Sequence, residues 1–276
     1  IGGRVMRTER DKVFLTTKIK YDNSGIDPKS MPDMVATSLK RLQTDHVDLL
    51  LLHICDTREQ VLREDLIRIF DDARKRGQTR FVGVSTHKNQ AAVMDAAVES
   101  GFWEAVLVGY SFISPPEVKQ AIERTRTAGL GIIGMKNLLK LDAHPRPPIT
   151  DYPKYAIKGI KPTQALIKWV LDDNFVDTTI PGMTTFEQLA DDVAVMSMPM
   201  SFGARRTLYH YGENTKGAVC GGTAGCTGCQ GQCPNGVEIS QINRCLGYAY
   251  GYGDIELARA NYRDLPADWK VDVCSE

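Results

Sequence analysis

No apolar stretch in this chain approaches the roughly 20 residues that a helix needs to cross a bilayer; VDLLLLHI at Val47 is typical of the longest runs. A membrane span is excluded on that count. Charge of one sign is also lacking, because 34 basic residues face 34 acidic ones. Nothing in that balance invites nucleic acid, an anionic membrane or an acidic substrate. No G-x-G-x-x-G follows any apolar run, which removes the usual dinucleotide signature of an open, doubly wound sheet. Cysteine is nearly absent from the first 219 residues, where Cys55 stands alone. The start, IGGRVMRTERDKVFLTTK, has neither an initiator methionine nor a charged-then-apolar leader. It reads as the tail of a helix running into a strand, so an N-terminally truncated piece is expected, with any export signal lying before Ile1.

What is present fits a soluble protein of one or two domains around a sizeable core: 276 residues, 42% hydrophobic and 25% charged. Short β-rich runs recur as VFLTT at Val13, VDLLLL at Val47, FVGVS at Phe81, AVLVGY at Ala105, GIIGM at Gly131 and DTTIPG at Asp177. Helical patterns separate them. SMPDMVATSLKRLQ offers Ser30 as an N-cap and sets Met34, Leu39 and Leu42 toward one face, while REDLIRIFDDARKRG and NQAAVMDAAVESG both end at a glycine suited to a C-cap. Strands without alternation are covered on both faces, and repeating units of about 25 to 35 residues suit a (β/α)₈ TIM barrel or a doubly wound sheet.

The barrel is favoured by where the polar residues fall. Lys18 closes the first run, His53 the second, Ser85 the third and Tyr110 the fourth; Lys136 follows the fifth and Gly182 the sixth. In a barrel these ends converge on the face where active sites are built. A lysine there is drawn toward a desolvated interior, or else snorkels outward at the rim. His53 is either a hydrogen-bond donor to a substrate carbonyl or a core histidine satisfied by backbone. The proline-rich segment from Asn137 to Pro162 is long enough to cover a substrate, or to be a solvated connection. Beyond residues 212–217 the composition shifts to glycine and cysteine, which divides the chain into a barrel over 1–212 and a small domain over 217–276.

VFLTTK, VDLLLLH, FVGVST, VGYSF, GIIGMKNL and IPGMTTFEQLADD occur in an order and spacing that resembles the aldo-keto reductases, over about Ile1 to Ser197. The resemblance implies a (β/α)₈ barrel that reduces aldehydes or ketones with a nicotinamide cofactor, NADPH or NADH. Of the family's tetrad of aspartate, tyrosine, lysine and histidine, Lys18 and His53 match the last two. It also implies that the aspartate and tyrosine belong to a strand before Ile1, so that this chain alone turns over poorly. By the same resemblance Ser85 holds the nicotinamide carboxamide and Tyr110 stacks on its ring. Gly182, Met183 and Thr184 meet the adenosine ribose and its phosphate, and Gln188 and Asp192 face the adenine. Asp192 stands where the family often has asparagine, and GMTT carries no cation for a 2′-phosphate, so the choice between NADPH and NADH stays open.

Four of the seven cysteines crowd into fourteen positions of the tail, which points to metal chemistry in a reducing, cytoplasmic setting. Cys226, Cys229 and Cys233 form C-x₂-C-x₃-C-P, with Cys220 upstream, a spacing that favours a [4Fe–4S] cluster. Structural zinc is the main competitor, although only one C-x₂-C unit is present; a disulfide pair is the third reading. GCTGCQGQCPNGVEI and GYAYGYGDIELAR together resemble the ferredoxin-like extension of some bacterial aldo-keto reductases. Cys220 is the preferred fourth ligand, with Cys245 the alternative to Cys220 or Cys233; otherwise Cys55, Cys245 and Cys274 read as inert or incidental thiols. The expected function is a carbonyl reductase acting on a small molecule, with an appended iron–sulfur domain and a possible redox partner. Its alternatives are a non-catalytic nucleotide-binding redox sensor or subunit, and an electron-transfer oxidoreductase fed by the cluster.

Overall fold

The unbroken apolar run Val47–Leu52 cannot alternate between core and solvent, so it needs cover on both faces. In the computed structural model it is the buried body of strand β2 (Val47–His53). The structure describes residues 9–21, 27–112, 114–137, 160–199, 201–203, 205–206, 208–209, 232–246, 249 and 255–270. Five further strands accompany β2: β1 (Thr16–Lys20), β3 (Thr79–Thr86), β4 (Ala105–Gly109), β5 (Gly131–Met135) and β6 (Thr178–Thr179). Their order in the sheet is β1-β2-β3-β4-β5-β6, the same as in the chain. Every connection therefore steps to the next position in the same direction. A doubly wound sheet reverses at a switch point, and this one does not.

The chain forms two compact units. The first comprises Ile1–Val108 and Glu117–Ile133. Its strands pair in parallel, with Lys18 opposite Leu51 and Lys20 opposite His53, then Leu52 opposite Val84, then Ser85 opposite Leu107. Helices α1 (Met31–Leu42), α2 (Arg58–Val61), α3 (Glu64–Lys75), α4 (Gln90–Ser100) and α5 (Pro116–Thr127) supply the crossovers. Gly101 caps α4 in the left-handed region, as its position after VES suggests. α1 buries Met31, Val35 and Leu39, and not the expected face of Met34, Leu39 and Leu42. The five-residue step from Met34 to Leu39 turns about 140° around the axis, whereas the two four-residue steps from Met31 to Leu39 turn about 80° in all, so the i, i+4, i+8 set makes the narrower face. Each such side chain, fully buried, contributes about 1.5–3 kcal/mol. Ser30 sits at the N-cap position, but its hydroxyl donates to Asp27 O at 2.8 Å rather than capping the helix.

β1 begins at Thr16, three residues later than VFLTT suggests, so Lys18 lies within the strand instead of just after it. The pairing starts there because of Asp48. Its carboxylate accepts from Leu15 N at 2.8 Å, and Leu15 O accepts from Asp48 N and Leu49 N at 2.8 and 3.1 Å. Gly83 is required for close strand approach: a Cβ there would overlap Ala105 O and come 2.9 Å from Leu51 Cδ2.

The second unit comprises Gly109–Pro116 and Gly134–Glu276. In it the end of β5 receives β6 through Ile180 N, which donates to Gly134 O at 2.9 Å. Helix α6 (Pro162–Leu171) places Ala165 and Leu166 against Leu208, with Phe112, Ile160 and Trp169 around them. Helix α7 (Phe186–Ala194) follows β6 with a capping box, in which Gln188 N donates to Thr185 Oγ1. Helices α8 (Ile239–Leu246) and α9 (Ile255–Arg263) form the C-terminal part. The expected division at residues 212–217 lies outside the described residues, as do most of the Asn137–Pro162 segment and Cys220, Cys226, Cys229 and Cys274.

Candidate active site

In the first unit the alternation of β1 buries Ile19 completely and turns Lys18 and Lys20 to the other face. Lys18 is half-buried, and burial pulls its pKa below the ordinary lysine value of 10.5. His53 closes β2 beside it. Burial holds His53 below the usual histidine value of 6.5; the charges of Lys18 and Lys20 push the same way, and Asp56 opposes them. The structure thus brings Lys18 and His53 within electrostatic reach of each other, with both charged forms disfavoured. An imidazole kept neutral presents one N–H donor and one acceptor, while the neighbouring ammonium supplies positive charge to any oxygen between them.

The chain leaves His53 through Ile54, whose φ is +59°. A β-branched residue in the left-handed region is rare and costs about 1–3 kcal/mol. Two contacts hold this turn. Cys55 N donates to Ser85 O at 2.8 Å, and the Cys55 thiol is buried, its pKa pushed up to about 12 by burial and by Asp56. That thiol is inert as a nucleophile. Ser85 is fully buried at the end of β3, yet its Oγ has no hydrogen-bond partner. A hydroxyl left that way costs about 1–3 kcal/mol until something pairs with it.

Beyond Ser85 lies a clasp that strand-end reasoning passed over. Asp56 Oδ1 accepts from His87 N at 2.7 Å and from Lys88 N at 3.0 Å, Thr86 Oγ1 donates to Lys88 O at 2.6 Å, and Asn89 Nδ2 donates to Asp56 O at 2.9 Å. This joins the turn after β2 to the turn after β3. It sets the ring of His87 edge-on to that of His53, with centroids 5.8 Å apart and planes at 67°. His87 stands two residues past Ser85, so the rule that singled out His53 applies to it as well.

In the second unit Tyr110 is buried beside Trp169, with ring centroids 5.3 Å apart, and its hydroxyl donates to Asp173 Oδ2 at 2.6 Å. Burial and then Asp173 raise its pKa above the ordinary 10, so it keeps its proton at neutral pH. Gly182, Met183 and Thr184 are exposed ahead of α7. Gln188 Oε1 accepts from Thr184 N, Thr184 Oγ1 and Thr185 N at 2.6, 3.2 and 3.2 Å, which leaves its amide NH₂ to donate elsewhere. Asp192 Oδ2 is buried without a partner, and burial followed by the charge of Asp191 raises its pKa above 3.8. Asn137, after β5, is 1% exposed with neither amide atom paired, and its residue type carried no signal in the sequence. Among the described residues no group of three metal-binding side chains comes together.

The sequence pattern of the aldo/keto reductase family matches residues 2–140, 139 of the 276 in the chain. This chain belongs to the aldo/keto reductase family. Among similar family members, the methylglyoxal reductase of Salmonella typhi is 26% identical over 191 residues, 68% of each chain. That of Escherichia coli O157:H7 is 25% identical over 201 residues, 72% of each. The solved holo aldo-keto reductase from Bacillus halodurans superposes with a TM-score of 0.65 at 20% identity, covering 81% of this chain and 79% of that one. At that identity the likeness shows the fold: an α/β chain with a parallel sheet, close to the (β/α)₈ barrels of aldo-keto reductases. Members of the family are oxidoreductases, so the chain is an oxidoreductase on its family membership.

Proposed function

We propose that this aldo/keto reductase reduces a small aldehyde or ketone with NADPH or NADH through Lys18 and His53. The observation that carries the proposal is their pairing: an ammonium and an imidazole on adjacent strands, each with its charged form disfavoured by burial. Neutral His53 donates an N–H to the substrate carbonyl oxygen and orients it. Lys18, half-buried and so only partly screened by water, stabilises the negative charge that develops on that oxygen. When bound, the reduced nicotinamide supplies the hydride, and the alkoxide that forms takes its proton from an acid other than these two, the tyrosine that the family resemblance implies. The fit to that cofactor rests on Ser85, whose buried, unpaired hydroxyl can both donate to and accept from a carboxamide. In the second unit, the exposed Gly182–Thr184 stretch ahead of the α7 N-terminus suits an anionic group, while the ring of Tyr110 is covered by its neighbours, Trp169 among them. The NH₂ of Gln188 and the unpaired oxygen of Asp192 suit an adenine edge.

The relatives named as methylglyoxal reductases make a short 2-oxoaldehyde the first substrate to assay. Reduced nicotinamide is expected to be consumed when methylglyoxal is added to protein that carries the tyrosine donor. Lys18→Met should lower kcat/KM by about 100-fold or more, the scale of losing one transition-state contact. Unchanged turnover in that variant overturns the assignment.

The tail reading adds a [4Fe–4S] cluster on Cys220, Cys226, Cys229 and Cys233. What supports it is the chemistry of the donor set, soft thiolates at ferredoxin spacing with a proline after the last. Cys233, the described member, is half-buried at a turn in which Gly236 N donates to its carbonyl at 3.1 Å with Gly236 at φ +77°. Cys245 is buried in α8. Protein purified without air should be brown, carry about four iron per chain and be bleached by Cys229→Ser. Colourless protein with about one zinc replaces the cluster with a structural site.

A further inference from the structure

The geometry points to His87 as the positioning residue for His53: it braces the imidazole edge-on so that His53 offers its N–H to the substrate in one orientation. This rests on the reading of His53 as the donor to the carbonyl oxygen. An imidazole at the end of a strand is held by one χ1 and a broad, roughly two-fold χ2, so without a brace it samples several ring planes. His87 supplies the brace, its ring 5.8 Å away and tilted by 67°. An edge-to-face pair at that separation has a preferred geometry that a flat stack lacks.

The brace is itself fixed at the backbone. His87 N and Lys88 N both donate to Asp56 Oδ1, while Thr86 Oγ1 and Asn89 Nδ2 close the turn on either side. His53 is tied to the same frame from its own side, because Cys55 N donates to Ser85 O. The strained φ of Ile54 is the connection between them. A left-handed isoleucine persists where the surroundings over-determine it, and the Cys55 and Asp56 contacts do so.

The charges around His53 point the same way. From β1 it meets Lys18 and Lys20, from its own turn Asp56, and from the turn after β3 His87. Two cations and one carboxylate surround a pair of imidazoles, so protonating both rings places like charges together. Removing the His87 ring therefore frees the plane of His53 and removes the like charge that a protonated ring there would set beside it.

Two variants and two readouts test this. In His87→Ala, kcat should fall about tenfold, the scale of a misaligned donor, with the KM for the nicotinamide unchanged. In the same variant the His53 imidazole, followed by NMR, should titrate at higher pH than in the wild type. His87→Phe keeps an edge-on ring, so it should recover most of kcat while retaining the upward shift. A purely structural role would lower the melting temperature without moving the His53 titration. An unmoved titration in both variants, or a His87→Phe variant as slow as His87→Ala, overturns the proposal. The titration needs no turnover, so a shifted His53 in a protein that reduces no carbonyl would count against the proposed activity and not against the pairing.

Discussion

Asp48 sits inside β2 with its side chain 4% exposed and accepts from three donors: Leu15 N at 2.8 Å, Arg10 Nη1 at 2.9 Å and Arg80 Nη1 at 2.8 Å. Replacing it by alanine removes all three partners at once and leaves the Arg10 guanidinium, 13% exposed and already lacking a partner at Nε, without its counter-charge. The Leu15 bond and the Arg10 pair each contribute about 1.5–3 kcal/mol as hydrogen bonds to a charged group. Arg80 is 61% exposed, so its pair adds about 0–1 kcal/mol. The expected loss is about 3–5 kcal/mol, the range for stripping one partner from a buried pair. Asp48→Asn keeps an acceptor for Leu15 N and should lose less. Urea unfolding at neutral pH reads both variants, and hydrogen exchange at Asp48 N and Leu49 N localises the effect to the start of β1. Burial alone raises the Asp48 pKa, but the bonds from Leu15, Arg80 and Arg10 outweigh it and hold the group below 3.8. Its stabilisation is therefore fully present above 3.8 and lost as the pH falls through the lower folded-state value. The gap between wild type and Asp48→Asn should close in acid. An Asp48→Ala protein within about 0.5 kcal/mol of wild type, the ordinary spread for surface changes, would refute this account of how β1 is started.

Gly83→Ala should destabilise by about 1–3 kcal/mol or more, because its Cβ meets the Ala105 carbonyl and the Leu51 side chain; a thermal melt reads this, and an unchanged melting temperature counts against the strand spacing. Tyr110→Phe should cost about 1–3 kcal/mol in stability by leaving Asp173 short of a donor, while nicotinamide affinity measured by fluorescence quenching stays the same because the ring is retained.

The parts of the fold that the sequence announced are those where one physical signal dominates. Val47–Leu52 is apolar at every position, so both the strand and the placing of His53 at its end follow directly. β1 was harder, because VFLTT and TTKIK are both β-prone and the start of pairing is set by a carboxylate 33 residues away in sequence. The buried face of α1 differs from the expected one because Met34 is apolar but out of phase with Met31, Val35 and Leu39, while Leu42, in phase with them, is the last residue of the helix and stays half-buried. At the site, Lys18, His53 and Ser85 could be named from their strands, whereas Asp56 and Asn137 gain meaning only from partners, or a lack of partners, that no local pattern encodes. Tyr110 was legible as a buried aromatic, but its hydroxyl contact with Asp173 joins residues 63 apart.

The Asp56 clasp makes the turns after β2 and β3 a single module for design and descent. A graft that brings in another chain's version of residues 54–57 without residues 86–89 would strand a carboxylate and leave two main-chain amides unanswered. Neither turn can be lengthened or shortened alone without that loss. Libraries that diversify these strand ends should therefore vary the two turns as a linked pair, or hold both constant.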